Sequence, residues 1–154
     1  MSDLRVRDLM TPNVITVLPD DSVATAYELM LDYRIRHLLV VDVEGDLVGV
    51  LTHRDLLRNS LIERAGLPLS FQRDIMRQIR VEEAMTSEVE TAEPGQWLQE
   101  AALLMYENKY GCLPVIEGSR PVGILTEADF VRFFAAGEWP ASAKLAMASL
   151  GTVS

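Results

Sequence analysis

The sequence predicts an α+β protein made of two copies of one β-α-β-β-α unit, packed through their sheets as a pseudo-twofold pair. Three observations predict it. Sliding the 154-residue chain on itself reveals a repeat with a period of about 75 residues. Within each copy the apolar spacing alternates between strand and helix periods in the same order. Each copy spans only about 55 residues, too short to bury a comfortable core alone, so two copies share one folding unit.

The repeat is dense. VRDLMTPNVITVLPDDSVATAYELM (Val6 to Met30) lies over VEEAMTSEVETAEPGQWLQEAALLM (Val81 to Met105), and HLLVVDVEGDLVGVLTHRDLLR (His37 to Arg58) over CLPVIEGSRPVGILTEADFVR (Cys112 to Arg132), one residue shorter at the turn. Identities include Met10 with Met85, Thr11 with Thr86, Pro19 with Pro94, Gly49 with Gly123, Thr52 with Thr126 and Asp55 with Asp129. The organisation is repeat 1 at 4–66, a connector at 67–80, repeat 2 at 81–137 and a tail at 138–154.

In repeat 1, VITV after the Thr11-Pro12-Asn13 break is a short β-rich run. Ser22 is the N-cap of a helix on which Val23, Ala26, Tyr27 and Met30 recur at helical spacing. HLLVVD and LVGVLT form a hairpin of buried strands, and HRDLLRNSLIERA a helix closed by Gly66. Repeat 2 follows suit: a strand at Val89 to Ala92, a helix from about Trp97 to Asn108, strands CLPVIE and PVGILT, and the helix EADFVRFFAA closed by Gly137. The connector carries a short helix, FQRDIMRQI, after the Gly66-Leu67-Pro68 break, and ASAKLAMASL forms a small-residue helix in the tail. Leu56, Leu57, Phe130 and Phe133 are expected to form an exposed apolar surface for self-association.

Composition excludes several functions. The chain is 49% hydrophobic and 24% charged, with a formal charge of -9. No apolar run approaches the roughly 20 residues of a membrane span, and no signal-peptide core follows the N-terminus, so a cytoplasmic protein without membrane contact is expected. One cysteine and two histidines make neither an internal disulfide nor a typical zinc site, and no metal is expected. The acidic balance argues against nucleic-acid binding, which needs clustered Lys and Arg. Charge is uneven: net -4 over Val6 to Arg58, -7 over Val81 to Arg132, and +2 over 59–80. There is no Ser/His/Asp set, paired metal ligands or phosphate loop, so no enzyme and no catalytic residue is expected.

The chemistry concentrates where each hairpin runs into a helix, at GVLTHRD (Gly49 to Asp55) and GILTEAD (Gly123 to Asp129). A carboxylate on the first helical turn can accept hydrogen bonds from both hydroxyls of a ribose. Threonine and the free N–H groups of the same helix N-terminus can face a phosphate, favoured by the helix dipole. The same Thr-x-x-Asp pattern is also a capping box that closes the helix on itself. Both readings stand at the level of residues, with capping the more favoured of the two, although Asp at a position where a capping box prefers Glu or Gln leans slightly away from a purely structural role.

These doubled G-h-h-T-x-x-D segments, preceded by HLLVVD and CLPVIE and opened by MT(P/S)-x-V-x-T, resemble the CBS domain, here as a tandem pair over about Leu4 to Ala136. The resemblance implies a regulatory module, dimerising into a disc, whose clefts between repeats take adenosine-containing ligands: AMP, ADP, ATP, S-adenosylmethionine, NAD-type molecules or cyclic dinucleotides. No cofactor is required beyond that regulatory ligand. By position, the resemblance groups Thr126 and Asp129 with Thr16, Ile35, Arg36 and His37, and groups Thr52 and Asp55 with Thr91, Tyr110, Gly111 and Cys112. His53 and Arg54 add charge beside Asp55, where repeat 2 has Glu127 and Ala128. In a protein of net charge -9 an anionic ligand must be held by local groups, which makes Arg36, His37 and Arg54 the discriminating residues. Cys112 is expected to be a buried small hydrophobe and Tyr110 to stack on a purine or pack in the core. The partners implied are the adenosine ligand, a second copy of the chain and an effector protein. The competing reading is an oligomerisation or scaffold module with degenerate clefts.

Overall fold

The computed structural model describes residues 3–58 and 68–137. In chain order the elements are α1 (Val6–Leu9), β1 (Thr11–Pro12), β2 (Thr16–Val17), α2 (Val23–Tyr33), β3 (His37–Val41), β4 (Leu47–Thr52), α3 (His53–Arg58), α4 (Leu69–Gln78), α5 (Val81–Ala84), α6 (Leu98–Asn108), β5 (Cys112–Glu117), β6 (Arg120–Thr126) and α7 (Glu127–Ala136). The continuation of the α3 helix to Gly66 and the tail helix fall outside the described residues.

Contacts divide the described residues into two compact units, one from 13–58 and 68–90 with 118–121, the other from 3–12, 91–117 and 122–137. The first holds a three-stranded sheet in the order β2-β3-β4. β2 runs parallel to β3, with Thr16 opposite Leu39. A parallel neighbour needs a crossover, and α2 supplies it. Ser22 starts α2 by accepting the Thr25 N–H at 3.1 Å, as an N-cap does. Arg34 ends it in the left-handed region at φ 55°. β3 and β4 make the antiparallel hairpin, with a register shift between Val40 and Val41. Val17, Val23, Ala26, Met30, Leu38, Val40, Leu51 and Leu56 fill the core. Met76 of α4, with Val81 and Ala84 of α5, packs into the same core.

The second unit has the sheet order β1-β6-β5. Its core is Val6, Leu9, Ala92, Leu98, Ala101, Met105, Leu113, Val115 and Leu125. Here α6 plays the part of α2, ending at Lys109, again left-handed at φ 57°.

The opening segment of each sequence copy packs in the unit built around the other copy's hairpin. β1, from copy 1, pairs antiparallel with β6, Thr11 opposite Ile124 and Pro12 opposite Gly123. In the other unit Thr86 exchanges two backbone hydrogen bonds with Val50, both 2.9 Å. This crossing explains the doubled glycine. A Cβ at Gly49 would lie 2.7 Å from Met85 Sδ and 2.9 Å from the Thr86 carbonyl oxygen, and one at Gly123 would lie 2.6 Å from Met10 Sδ and 3.1 Å from the Thr11 oxygen. Met, Thr and Gly therefore recur together because each Met-Thr lies across the glycine of the other copy's hairpin.

Two sequence expectations change. The run VITV shortens to Thr16–Val17, because Asn13 turns with a positive φ of 56° and Pro19 follows. The equivalent stretch at Val89 to Ala92 keeps one parallel bridge, Ala92 with Val115, with Pro94 close behind. The expected exposed apolar surface is also corrected. Leu56 is 0% exposed, Leu57 is half-buried, and Phe130 and Phe133 pack against the second core. The outer face of α7 presents Val131 and Phe134 instead, because the helix turns its 130 and 133 positions to the sheet at a spacing of three.

Candidate functional site

Asp55 and Asp129 are the buried charged residues among those described, at 8% and 2% exposure. Each sits three residues after the threonine that ends a hairpin strand, on the first turn of the next helix. In the first unit the box is reciprocal: the Thr52 N–H donates to Asp55 Oδ2 at 2.8 Å, and the Asp55 N–H donates to Thr52 Oγ1 at 3.0 Å. In the second, the Thr126 N–H donates to Asp129 Oδ2 at 2.8 Å and its hydroxyl to the same oxygen at 3.3 Å.

Capping alone does not call for burial. At α1 the Arg5 N–H donates to Asp8 at 2.7 Å, and at α5 the Arg80 N–H donates to Glu83 at 2.8 Å. Both of those acids are exposed, so they close a helix at no desolvation cost. A buried carboxylate carries that cost and must be compensated by donors.

The candidate residues fall into two groups, one per unit. In the first unit the Arg36 carbonyl accepts the His53 N–H at 2.8 Å, and His37 lies opposite Thr52 in the β3–β4 register. Ile35 packs against the core, while Arg36 and Arg54 are exposed. His53 stacks on Tyr27 of α2, ring centroids 6.3 Å apart. Thr16 is exposed at the start of β2 and pairs with Leu39. Arg36 and His37 thus lie beside the Thr52–His53 junction through the backbone and the strand register, and His53 and Arg54 separate Thr52 from Asp55 in the chain.

In the second unit the Gly111 carbonyl accepts the Glu127 N–H at 3.3 Å, which places the 110–112 segment beside the Thr126 motif. Tyr110 is half-buried against the core and Cys112 is buried, as expected of a small apolar residue. Thr91 is half-buried, next to Ala92, whose N–H donates to the Pro114 carbonyl at 2.9 Å. The charge here is sparse and mixed, with Lys109 and Glu127 both exposed. The fold thus brings each motif beside the pre-strand residues of its own repeat.

Two residues at Asp129 escaped the sequence reading. Thr11 donates its hydroxyl to Asp129 Oδ1 at 2.7 Å, and Arg132 donates to the same oxygen at 2.8 Å. Thr11 was visible as a repeat identity with Thr86 inside the MT(P/S)-x-V-x-T opening, and Arg132 as a cation one turn after the acid. A cavity of about 280 Å³ is lined by Asp8, Leu9, Asp129, Arg132, Phe133 and Ala136.

Among the described residues one carboxylate triple, Asp42, Glu44 and Asp46, has oxygens within 4.8 Å of one another. Asp42 Oδ1 already accepts the N–H groups of Glu44 and Asp46, and Asp46 Oδ1 accepts the Ser119 hydroxyl at 2.7 Å. The two bonds to Asp42 build the β3–β4 turn, and the third ties that turn to Ser119 between β5 and β6.

The repeat, the two hairpin-to-helix motifs and their buried aspartates agree with the comparison to known families, in which the CBS domain model matches residues 6–62 and 81–136. The chain belongs to the CBS domain family. This CBS pair is 35% identical over 126 residues to inosine-5'-monophosphate dehydrogenase of Methanocaldococcus jannaschii, covering 81% of this chain and 22% of that enzyme. It spans 22 to 41% of the length of the first three curated relatives it matches. Two similar solved structures hold ligands. CBSX2 in complex with AMP has a TM-score of 0.71 at 31% identity, covering 88% of this chain and 98% of that one. The CBS domain pair of protein MJ0100, in complex with 5'-methylthioadenosine and S-adenosyl-L-methionine, has a TM-score of 0.72 at 27% identity, covering 88% and 98%. Among the described residues no helix of this CBS pair is long and apolar enough to cross a membrane.

Proposed function

We propose that this CBS pair is a non-catalytic regulatory module that binds an adenosine-containing ligand, an adenine nucleotide, S-adenosylmethionine or an NAD-type molecule, through its two Thr-x-x-Asp motifs. The observation that carries the reading is the burial of Asp55 and Asp129, where exposed acids close α1 and α5. Two neighbours of the same fold that hold adenosine compounds support it. Each aspartate is the ribose acceptor and each threonine, with the helix N-terminus, faces phosphate. Arg36, His37, His53 and Arg54 supply positive charge to an anionic ligand. The remaining groups, Thr16, Ile35, Thr91, Tyr110, Gly111 and Cys112, contribute backbone and apolar contacts.

The module acts by self-association or through an effector protein in the cytoplasm. A ligand biases such a device only through different affinity for two states. Calorimetric titration of the full chain with AMP, ADP, ATP, S-adenosylmethionine and NADH tests the reading, with native mass spectrometry reporting oligomer state in the same samples. Binding lost in Asp55→Ala and Asp129→Ala supports it. Silence of the wild-type chain towards all five, with a stable dimer of unchanged melting temperature, would favour a scaffold module, a reading that the protein donors already engaging Asp129 make worth testing.

A further inference from the structure

The Asp129 carboxylate has its acceptor capacity filled by the protein. A carboxylate offers about four lone-pair directions. Oδ1 takes Thr11 Oγ1 at 2.7 Å and Arg132 Nη2 at 2.8 Å, and Oδ2 takes the Thr126 N–H at 2.8 Å and, more weakly, the Thr126 hydroxyl at 3.3 Å. A ribose diol needs two of those directions. Any ligand that uses Asp129 must therefore displace a donor already in place.

The four donors differ in how easily they leave. The Thr126 N–H is fixed by the start of α7. The Thr126 hydroxyl is the longest of the four and turns about one bond. Thr11 is half-buried and held by β1 pairing with β6. Arg132 is the mobile one: its side chain is 64% exposed while its partner carboxylate is 2% exposed. An exposed guanidinium loses little on returning to water, and Asp8, on the wall of the same cavity, offers it another acid.

We propose that Arg132 is a latch on the second-repeat site, a positioning residue that competes with the ligand's ribose for Oδ1 of Asp129 and sets the affinity of that site downwards. Displacing it frees one direction on Oδ1, and rotation of the Thr126 hydroxyl towards a phosphate frees one on Oδ2. Thr11 stays in place as the anchor of the acid. The proposal rests on the adenosine reading above.

The test is calorimetric titration of the full chain with adenosine, whose neutrality keeps salt from acting on the ligand itself, in an Asp55→Asn background that leaves the second site to be read. Asp55→Asn alone is compared with Asp55→Asn carrying Arg132→Gln and with Asp55→Asn carrying Asp129→Ala, at about 50 and about 500 mM salt, between which the screening length shrinks severalfold. The latch predicts that Arg132→Gln tightens adenosine roughly two- to fivefold, the range of a partly exposed ion pair. It also predicts that added salt tightens binding with Arg132 present and leaves Arg132→Gln unmoved, a response that a merely structural arginine would not give. Asp129→Ala abolishes the signal. Weaker binding in Arg132→Gln makes the arginine a ligand contact and overturns the latch, as does unchanged binding. If neither the wild-type chain nor any variant binds adenosine, AMP or S-adenosylmethionine, the adenosine reading itself falls. Wild-type binding with an indifferent Arg132→Gln removes the latch alone.

Discussion

The Thr11 hydroxyl donates to Oδ1 of Asp129 at 2.7 Å, a bond between residues 118 positions apart. It ties the opening segment of the first sequence copy to the helix N-terminus of the second. A hydrogen bond to a buried charge contributes about 1.5 to 3 kcal/mol. Thr11→Val is isosteric and should lower unfolding stability by about that amount in urea titration. Arg132→Gln removes an exposed donor from the same oxygen and should cost below about 1 kcal/mol. Equal costs for the two would contradict the division into anchor and latch.

Gly49→Ala and Gly123→Ala should both destabilise, by about 1 to 3 kcal/mol, the range for forcing an extra methyl into a packed site. Gly49→Ala should be the worse of the two, because its Cβ meets the Thr86 carbonyl oxygen at 2.9 Å where that of Gly123 meets the Thr11 oxygen at 3.1 Å. Methionine side chains can retreat, whereas backbone carbonyls paired in a ladder cannot. Thermal unfolding of the two variants side by side checks the order.

Lys109→Gly should raise stability. Lys109 sits at φ 57° after α6, a region that L-residues enter at a cost of about 1 kcal/mol and glycine enters freely. A gain of about 0.5 to 1 kcal/mol is expected, and a loss would mean that the lysine side chain holds a contact worth more than the strain.

Asp55→Ala should weaken an adenosine ligand by about 1.5 to 3 kcal/mol, roughly 10- to 150-fold in affinity. Glu82→Ala, an exposed acid outside both motifs, should leave the affinity unchanged and serves as the control for lost negative charge. Calorimetry on both variants separates a ribose contact from a general field effect.

Most helices and hairpin strands were legible because their signals are local. Ser22 caps where the pattern placed it, α6 starts after Trp97 and α7 ends at Gly137, and both hairpins run between the strands the apolar runs marked. The short strands are briefer than their β-rich runs, since Asn13 and Pro19 confine β2 to two residues. The helical turns α1 and α5 carry too few residues for periodicity to register. At the site, Thr52, Asp55, Thr126 and Asp129 announced themselves by recurrence at a strand-to-helix junction; Thr11 and Arg132 recur as well, but their bonds to Asp129 did not show, since a contact across 118 residues leaves no trace in spacing and an exposed arginine one turn after an acid is a common helix-surface pattern.

The sequence by itself determined that this protein is a duplicated β-α-β-β-α chain with a Thr-x-x-Asp at each strand-to-helix junction, because periodicity, caps and internal identity are properties of neighbouring residues. Only the tertiary structure decided which copy's opening segment completes which sheet, why Gly49 and Gly123 carry no side chain, and that Asp129 is held by Thr11 and Arg132. Those facts depend on backbone approach and on hydrogen bonds between distant segments, and the buried carboxylate makes them matter: once Asp129 leaves water, donors from wherever the chain returns must replace it.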